Sequence, residues 1–253
     1  MPGAGTRKCY EVCKYALANR GIQIGRDKLH SILQVNHLII AKRKRRFYTT
    51  DSNHRFRKYP NKAKDLVLER PEQLWVSDIT YITTKEKPLY LSLVTDAYSK
   101  KIMGYHLADH LKATGPIEAL KMALKNRKYP KSKLMHHSDK GVQYCCDAYI
   151  KLLSDNNIDI SMTSKYDPYE NAVAERINGT IKNEFGIDEG LPNLAYAKRE
   201  VTKTVKIYNQ LRPHLSCNMY TPDMIHYYRN PYPIKLNNQK TWEKIIFNNF
   251  NLN

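Results

Sequence analysis

Apolar and polar positions change rhythm near residue 70. Across residues 5–20, Cys9, Val12, Cys13, Ala16 and Leu17 recur at helical spacing, and Gly21 supplies a stop. Arg26–Val35 places Leu29, Ile32 and Leu33 on one face, predicting a second short helix. Two such helices joined by a tight turn form a helix-turn-helix-like unit, a pattern that any small helical hairpin also satisfies. The stretch that follows, through Lys64, is polar and basic and contains Pro60. From Arg70 onward, runs rich in β-branched and aromatic residues predict strands at Leu74–Ile82, Leu89–Tyr98 and Lys101–Leu107. The short break Ser99-Lys100 makes the last two an antiparallel hairpin. Helical and strand patterns then alternate: a helix over Thr114–Asn126, a strand at Lys133–His137, a helix over Asp147–Asn156 and a strand at Ile158–Met162. Long helices fit Asn171–Phe185 and Ala195–Leu211. Three antiparallel strands followed by right-handed crossovers predict an α/β fold, a mixed five-stranded sheet with helices on both faces. The chain divides into a helical basic segment (1–48), a basic linker (49–69), a main domain (70–228) and an Asn-rich tail (229–253).

Composition narrows the class. The chain has 253 residues, 42% of them apolar, with 19 tyrosines, ample material for a packed core. No apolar run approaches the roughly 18 to 20 residues of a membrane span. Met1–Lys8 lacks an apolar signal-peptide core, so a soluble cytoplasmic protein is expected. Cys9 and Cys13 share a helix face, but no second Cys/His pair stands at zinc-finger spacing, and reduced thiols are expected. The net charge of +18 favours a polyanionic partner, nucleic acid ahead of an anionic membrane. Residues 1–70 hold 17 basic and 5 acidic side chains, so +12 of the surplus precedes the main domain. Its densest run, Lys42, Arg43, Lys44, Arg45 and Arg46, suits either a solvated linker or a phosphate-tracking arm, and the two are compatible.

Three acids occupy places where chemistry is expected. Asp78 lies within the first strand, Asp139 just past the fourth, and Glu175 in the long helix that follows. Carboxylates at strand ends and on an adjoining helix can converge on hard cations and leave open coordination for phosphate oxygens. Asp96, also in a strand, precedes the hairpin break and is expected to serve the turn. Glu170 and Glu184 compete with Glu175. Helix geometry favours Glu175: at about 100° per residue, Asn171, Asn178, Gly179 and Lys182 fall within about 60° of it. Val173, Ile177 and Ile181 point the other way. The resulting stripe predicts a DNA-facing edge, with Gly179 allowing close approach and Asn178 and Lys182 as contacts.

These residues carry a resemblance. Trp75-Val-Ser-Asp78-Ile-Thr-Tyr81, Thr95-Asp-Ala-Tyr-Ser99, His137-Ser-Asp139-Lys-Gly141-Val-Gln-Tyr144 and Asn171-Ala-Val-Ala-Glu175-Arg-Ile-Asn178-Gly179 resemble the DDE transposase and retroviral integrase superfamily. Within it, they resemble the second-frame transposases of the IS3 family of bacterial insertion sequences. Thirty-five residues separate Asp139 from Glu175, and Lys182 follows seven after the Glu, as in that family. Tyr208-Asn-Gln-Leu-Arg-Pro-His214 and Thr221-Pro222 match its C-terminal signature.

The resemblance implies a ribonuclease-H-like fold and cleavage of double-stranded DNA at insertion-sequence ends, dependent on Mg2+ or Mn2+ (two ions). The 3′-OH so exposed attacks another phosphodiester. It implies Asp78, Asp139 and Glu175 as metal ligands, no covalent protein intermediate, and a homo-oligomeric synaptic complex. The N-terminal helices resemble the later part of the family's helix-turn-helix segment without its first helix. The first-frame region, with its own helix-turn-helix and leucine zipper, is not seen. Two other readings stay open: a DNA-binding regulator of transposition that is inactive without the upstream frame, and a ribonuclease-H-type hydrolase. The acid spacing, the C-terminal signature and the basic N-terminus weigh against the second.

Overall fold

The computed structural model describes residues 3–36, 38–39, 54–164, 171–187 and 190–228. Two helices open the chain, α1 (Thr6–Ala18) and α2 (Arg26–Val35), with Gly21 between them at a left-handed φ of 71°. Strands β1 (Leu74–Ile82), β2 (Leu89–Asp96) and β3 (Ile102–Ala108) follow, then α3 (Thr114–Lys125) and β4 (Leu134–Ser138). After β4 come α4 (Val142–Cys145), α5 (Asp147–Asp155), β5 (Ile158–Met162), α6 (Ala172–Phe185) and α7 (Leu194–Leu211). A 3-10 turn (Leu215–Cys217) and α8 (Pro222–Tyr227) close the described chain. No described helix is long and apolar enough to cross a membrane.

The five strands form one sheet in the order β3-β2-β1-β4-β5. β1 and β3 run antiparallel to β2, whereas β4 is parallel to both β1 and β5. Helices cover both faces, because the strands bury side chains on both. Trp75, Val94, Met103 and Leu134 pack with Ala119, Leu120, Tyr149 and Leu153 of α3 and α5. Ile82, Leu91, Leu93 and Leu107 pack with Ile177 and Ile181 of α6 and Val201 and Val205 of α7. This is the predicted mixed sheet, and α2, β1 and β5 have the expected limits.

Asp96 serves the β2–β3 turn: its Oδ1 accepts the Ser99 N–H and hydroxyl, each at 2.7 Å, and Lys100 takes a left-handed φ of 65°. Gly104 on β3 lies hard against α3, where a Cβ would meet the Ala119 carbonyl oxygen at 2.0 Å and the Ala123 nitrogen at 2.6 Å. Neither backbone atom can swing aside, so Gly104→Ala must push the helix off the sheet. It is expected to lower stability by about 3 kcal/mol, read as a drop in denaturation midpoint. A wild-type midpoint would mean that α3 does not pack so closely.

Residues 54–69 are anchored on one side instead of standing wholly in solvent. Phe56 and Tyr59 pack against the core on the α3/α5 face, and Ala63, Leu66 and Leu68 pack beside Leu74 and Val76. Apolar side chains on this otherwise basic stretch have a core to join, and they pin it to the sheet.

The C-terminal signature is a clamp. The Asn209 side-chain amide accepts from Ile102 N–H and donates to Ile102 C=O, both at 2.9 Å, satisfying the backbone where edge strand β3 begins. Tyr208 donates to the Lys100 carbonyl at 2.9 Å. Thr221 caps α8 by accepting from Met224 N–H, with Pro222 in its first turn.

Candidate active site

The sheet register brings two of the three acids together. β1 and β4 pair in parallel as Leu74 with Met135, Trp75 with His136 and Val76 with His137. Continuing that offset sets Asp139, the first residue past β4, beside Asp78. Alternation along β1 turns Trp75 and Ser77 to the α3/α5 face and Val76 and Asp78 to the α6 face. Asp78 is half-buried there, and the Asn178 side-chain amide donates to its Oδ2 at 2.7 Å. Asp139 Oδ1 accepts the Gly141 N–H at 2.9 Å, a tight turn that fixes the carboxylate. A Cβ on Gly141 would come within 3.0 Å of that same oxygen.

Glu175 stands one turn before Asn178 on α6 and is exposed. Its charge acts on Asp78 more weakly than that of Asp139. Among the described residues, no three His, Cys, Asp or Glu side chains stand together so as to hold a metal ion. In this arrangement Asp78 and Asp139 form the pair, and Glu175 is set back from it.

Electrostatics make the pair costly. Burial, then the negative charge of Asp139, push the Asp78 carboxyl up to about 7, against the favourable Ile79 N–H and Asn178 amide. Burial also raises Glu175. A half-buried pair of carboxylates that repel one another suits a divalent cation, which would reverse the repulsion.

Beneath the pair lies a neutral polar layer. The Ser77 hydroxyl and the Tyr149 hydroxyl both meet His136 Nε2, at 2.7 and 2.9 Å. Burial and neighbouring His137 push His136 down to about 3, so the imidazole is neutral at physiological pH. The Tyr144 hydroxyl is buried with no hydrogen-bond partner among the described residues and feels the charges of both Asp78 and Asp139.

The other expected residues sort as follows. Asn178 is a correction: it is buried and holds Asp78 instead of facing solvent as a DNA contact. Asn171, on the same stripe, is buried too. Glu184 is no rival to Glu175, because Arg212 grips it through two bonds of 2.8 and 2.9 Å and Lys8 adds a third of 2.5 Å. Lys182 is half-buried in the last turn of α6. Nothing inside the fold requires glycine at Gly179, where a Cβ would meet no atom nearer than 3.8 Å. Glu170 and Lys42–Arg46 lie outside the described residues. Tyr144 was missed as a site residue, although it stands five residues past Asp139 within the quoted motif.

Comparison with known proteins agrees with this architecture. Residues 69–168 match one integrase core domain model, and residues 156–222 match another. The IS600 31 kDa protein of Shigella sonnei is 34% identical over 81% of this chain and 76% of its own length. The transposase of IS629 from the same species is 31% identical over 82% of this chain and 68% of its length. The chain belongs to the IS3 family of insertion-sequence transposases. InsF of IS3A from Escherichia coli K12 is 32% identical over 63% of this transposase and 56% of its own length. Solved structures share the ribonuclease-H-like fold. The magnesium complex of the HTLV-2 integrase catalytic core (trimeric form) superposes with a TM-score of 0.50 at 20% identity, covering 62% of this chain and 98% of that one. A simian T-cell lymphotropic virus intasome gives 0.54 at 16% identity, covering 88% and 74%. The transposase is thus an enzyme of the DDE class, a polynucleotidyl transferase.

Proposed function

We propose that Asp78, Asp139 and Glu175 hold two divalent ions, Mg2+ or Mn2+, and that the chain uses them to cut double-stranded DNA at insertion-sequence ends and join the freed 3′-OH to target DNA. The observation that carries this reading is the Asp78–Asp139 pair, held at one end of the sheet with Asp78 raised to about 7 by burial and like charge. Bound ions of this kind activate an attacking oxygen and stabilise a leaving oxygen during in-line phosphoryl transfer. The protein's own groups prepare the site. Asn178 fixes the rotamer of Asp78, and the Gly141 N–H fixes that of Asp139. Tyr144 offers a buried hydroxyl beside both carboxylates. Lys182, two turns along α6 from Glu175, adds positive charge for a DNA phosphate. Residues 70–228 carry the chemistry, and the basic residues before them, Lys42–Arg46 included, grip the backbone. Several copies assemble around paired ends, a reading supported by likeness to an intasome fold.

The test is incubation of the full chain with duplex DNA bearing its own element ends. Joined products are expected with Mn2+ or Mg2+ and not with EDTA. Binding of the ends without any cleavage across a metal titration would overturn the enzymatic reading in favour of a binding protein.

A further inference from the structure

The segment between the N-terminal helices and the sheet is a fixed strap with two unlike sides. Its inward side chains, Phe56 and Tyr59 on one face of the sheet and Ala63 and Leu66 on the other, wrap it around edge strand β5. Backbone bonds fasten it there: Met162 N–H donates to the Pro60 carbonyl at 3.3 Å, and the Lys62 and Ala63 N–H groups donate to Ser161 Oγ at 2.9 and 3.2 Å. Its outward side carries Arg55, Arg57, Lys58, Lys62 and Lys64, all exposed. None of the five forms an ion pair among the described residues, although the Arg57 guanidinium lies 5.1 Å from the Tyr59 ring centroid. Asp65 is the one acid within residues 54–68.

The strap is tied to both sides of Asp139. His54 Nε2 meets the Lys140 carbonyl at 2.7 Å, and since a carbonyl only accepts, Nε2 carries the proton. Ser161 Oγ, which receives the strap's N–H groups, also bonds His137 Nδ1 at 2.9 Å. Lys58 and Asp139 both act electrostatically on Cys145, the one lowering and the other raising its thiol. A row of solvated cations on a backbone fastened beside Asp139 suits a chain of phosphates better than a single anion, because each phosphate meets its own charge without loss of loop entropy.

We propose that residues 54–64 form a fixed phosphate track, in which Arg55, Arg57 and Lys58 bind the DNA backbone beside the phosphodiester served by Asp139, and that His54 sets the track's position relative to that carboxylate. The track rests on the reading of Asp139 as a catalytic ligand. It differs from a flexible basic linker in one respect: its grip has a defined register on the DNA.

Two measurements on the full chain test it, both with duplex element-end DNA and without divalent metal. Neutralising the exposed trio (Arg55→Gln, Arg57→Gln, Lys58→Gln) should flatten the dependence of log K on log salt by about 0.9 for each phosphate that the protein no longer neutralises. Replacing Lys58 with photo-crosslinking benzoylphenylalanine should give crosslinks at nucleotides flanking the scissile phosphate. His54→Gln, whose amide still donates to the Lys140 carbonyl, should keep that pattern, and His54→Ala should broaden it. An unchanged salt slope, or crosslinks spread evenly along the duplex, overturns the track. Asp139→Asn separates this from the site reading: it should abolish strand transfer yet leave slope and crosslinks intact. Strand transfer surviving Asp139→Asn would instead overturn the site reading.

Discussion

Asp78→Asn, Asp139→Asn and Glu175→Gln are each expected to lower strand transfer about a thousandfold or more, equivalent to about 4 kcal/mol of barrier, with DNA binding largely spared. Each change keeps the shape of the side chain and removes a negative oxygen, so folding survives while cation binding fails. Wild-type strand transfer by any of the three would remove that residue from the ligand set.

The same substitution at Asp78 should stabilise the metal-free protein. The folded carboxyl titrates near 7, against an ordinary value of 3.8. The native state therefore holds a proton that the unfolded chain releases, and stability falls as pH rises from about 4 to about 7. Across that window the loss approaches about 4 kcal/mol for a group so placed. Melting curves in EDTA should show the wild type weaker at pH 8 than at pH 5 and Asp78→Asn nearly level, with Mg2+ restoring the wild type. Superimposed curves for the two proteins at both pH values would show that the acid pair is not strained.

Glu72→Ala is expected to cost about 3 to 5 kcal/mol of stability, the largest loss outside the site. Glu72 is wholly buried just before β1, with a left-handed φ of 54°. Its carboxylate accepts the Lys128 N–H at 2.6 Å, the Tyr129 N–H at 3.2 Å and the Arg127 guanidinium at 3.2 Å, and His226 Nε2 lies at 3.3 Å. Its own N–H donates to Asp96 Oδ2 at 2.6 Å. Burial alone would raise this carboxyl, but the bonds from His226, Lys128 and Arg127 outweigh it and hold the group below 4.5. That stabilisation is present above about pH 4.5 and is lost as pH falls through the folded value. Alanine would strand Arg127, which packs 5.9 Å from the Trp75 ring, as an unpaired buried cation. Denaturant titration should show a much lower midpoint, with strand transfer per folded molecule unchanged below it. A small shift would mean that solvent reaches the cluster.

How much of this was legible in the sequence depends on periodicity. β1 and β5 kept their expected limits because their β-branched and aromatic runs are bounded by polar residues. α4 and α8, of four and six residues, are too short to show a period, although Thr221-Pro222 is a start signal that could have been read. The strap escaped because Phe56, Tyr59, Ala63 and Leu66 stand at helical spacing in a basic stretch interrupted by Pro60, yet the segment packs without forming a helix. The acids could be chosen by spacing and helix angle, but angle alone cannot say what a stripe faces. Asn178 shares the sector of Glu175, and only the turn of Asp78 toward α6 reveals that its amide meets a carboxylate rather than DNA. Glu184 likewise needed Arg212, 28 residues away, to show it as a structural joint.

Sealing of the sheet has a consequence for assembly. Strand β5 is fastened to Pro60 and Ser161 is engaged by Lys62 and Ala63, while Asn209 occupies the backbone groups of Ile102 at the start of β3. Neither outer strand offers these positions as a template for another chain. Copies of this protein that meet over DNA must therefore recognise one another through side-chain surfaces at those margins, and a crowded nucleoprotein complex can form without its sheets zipping together there.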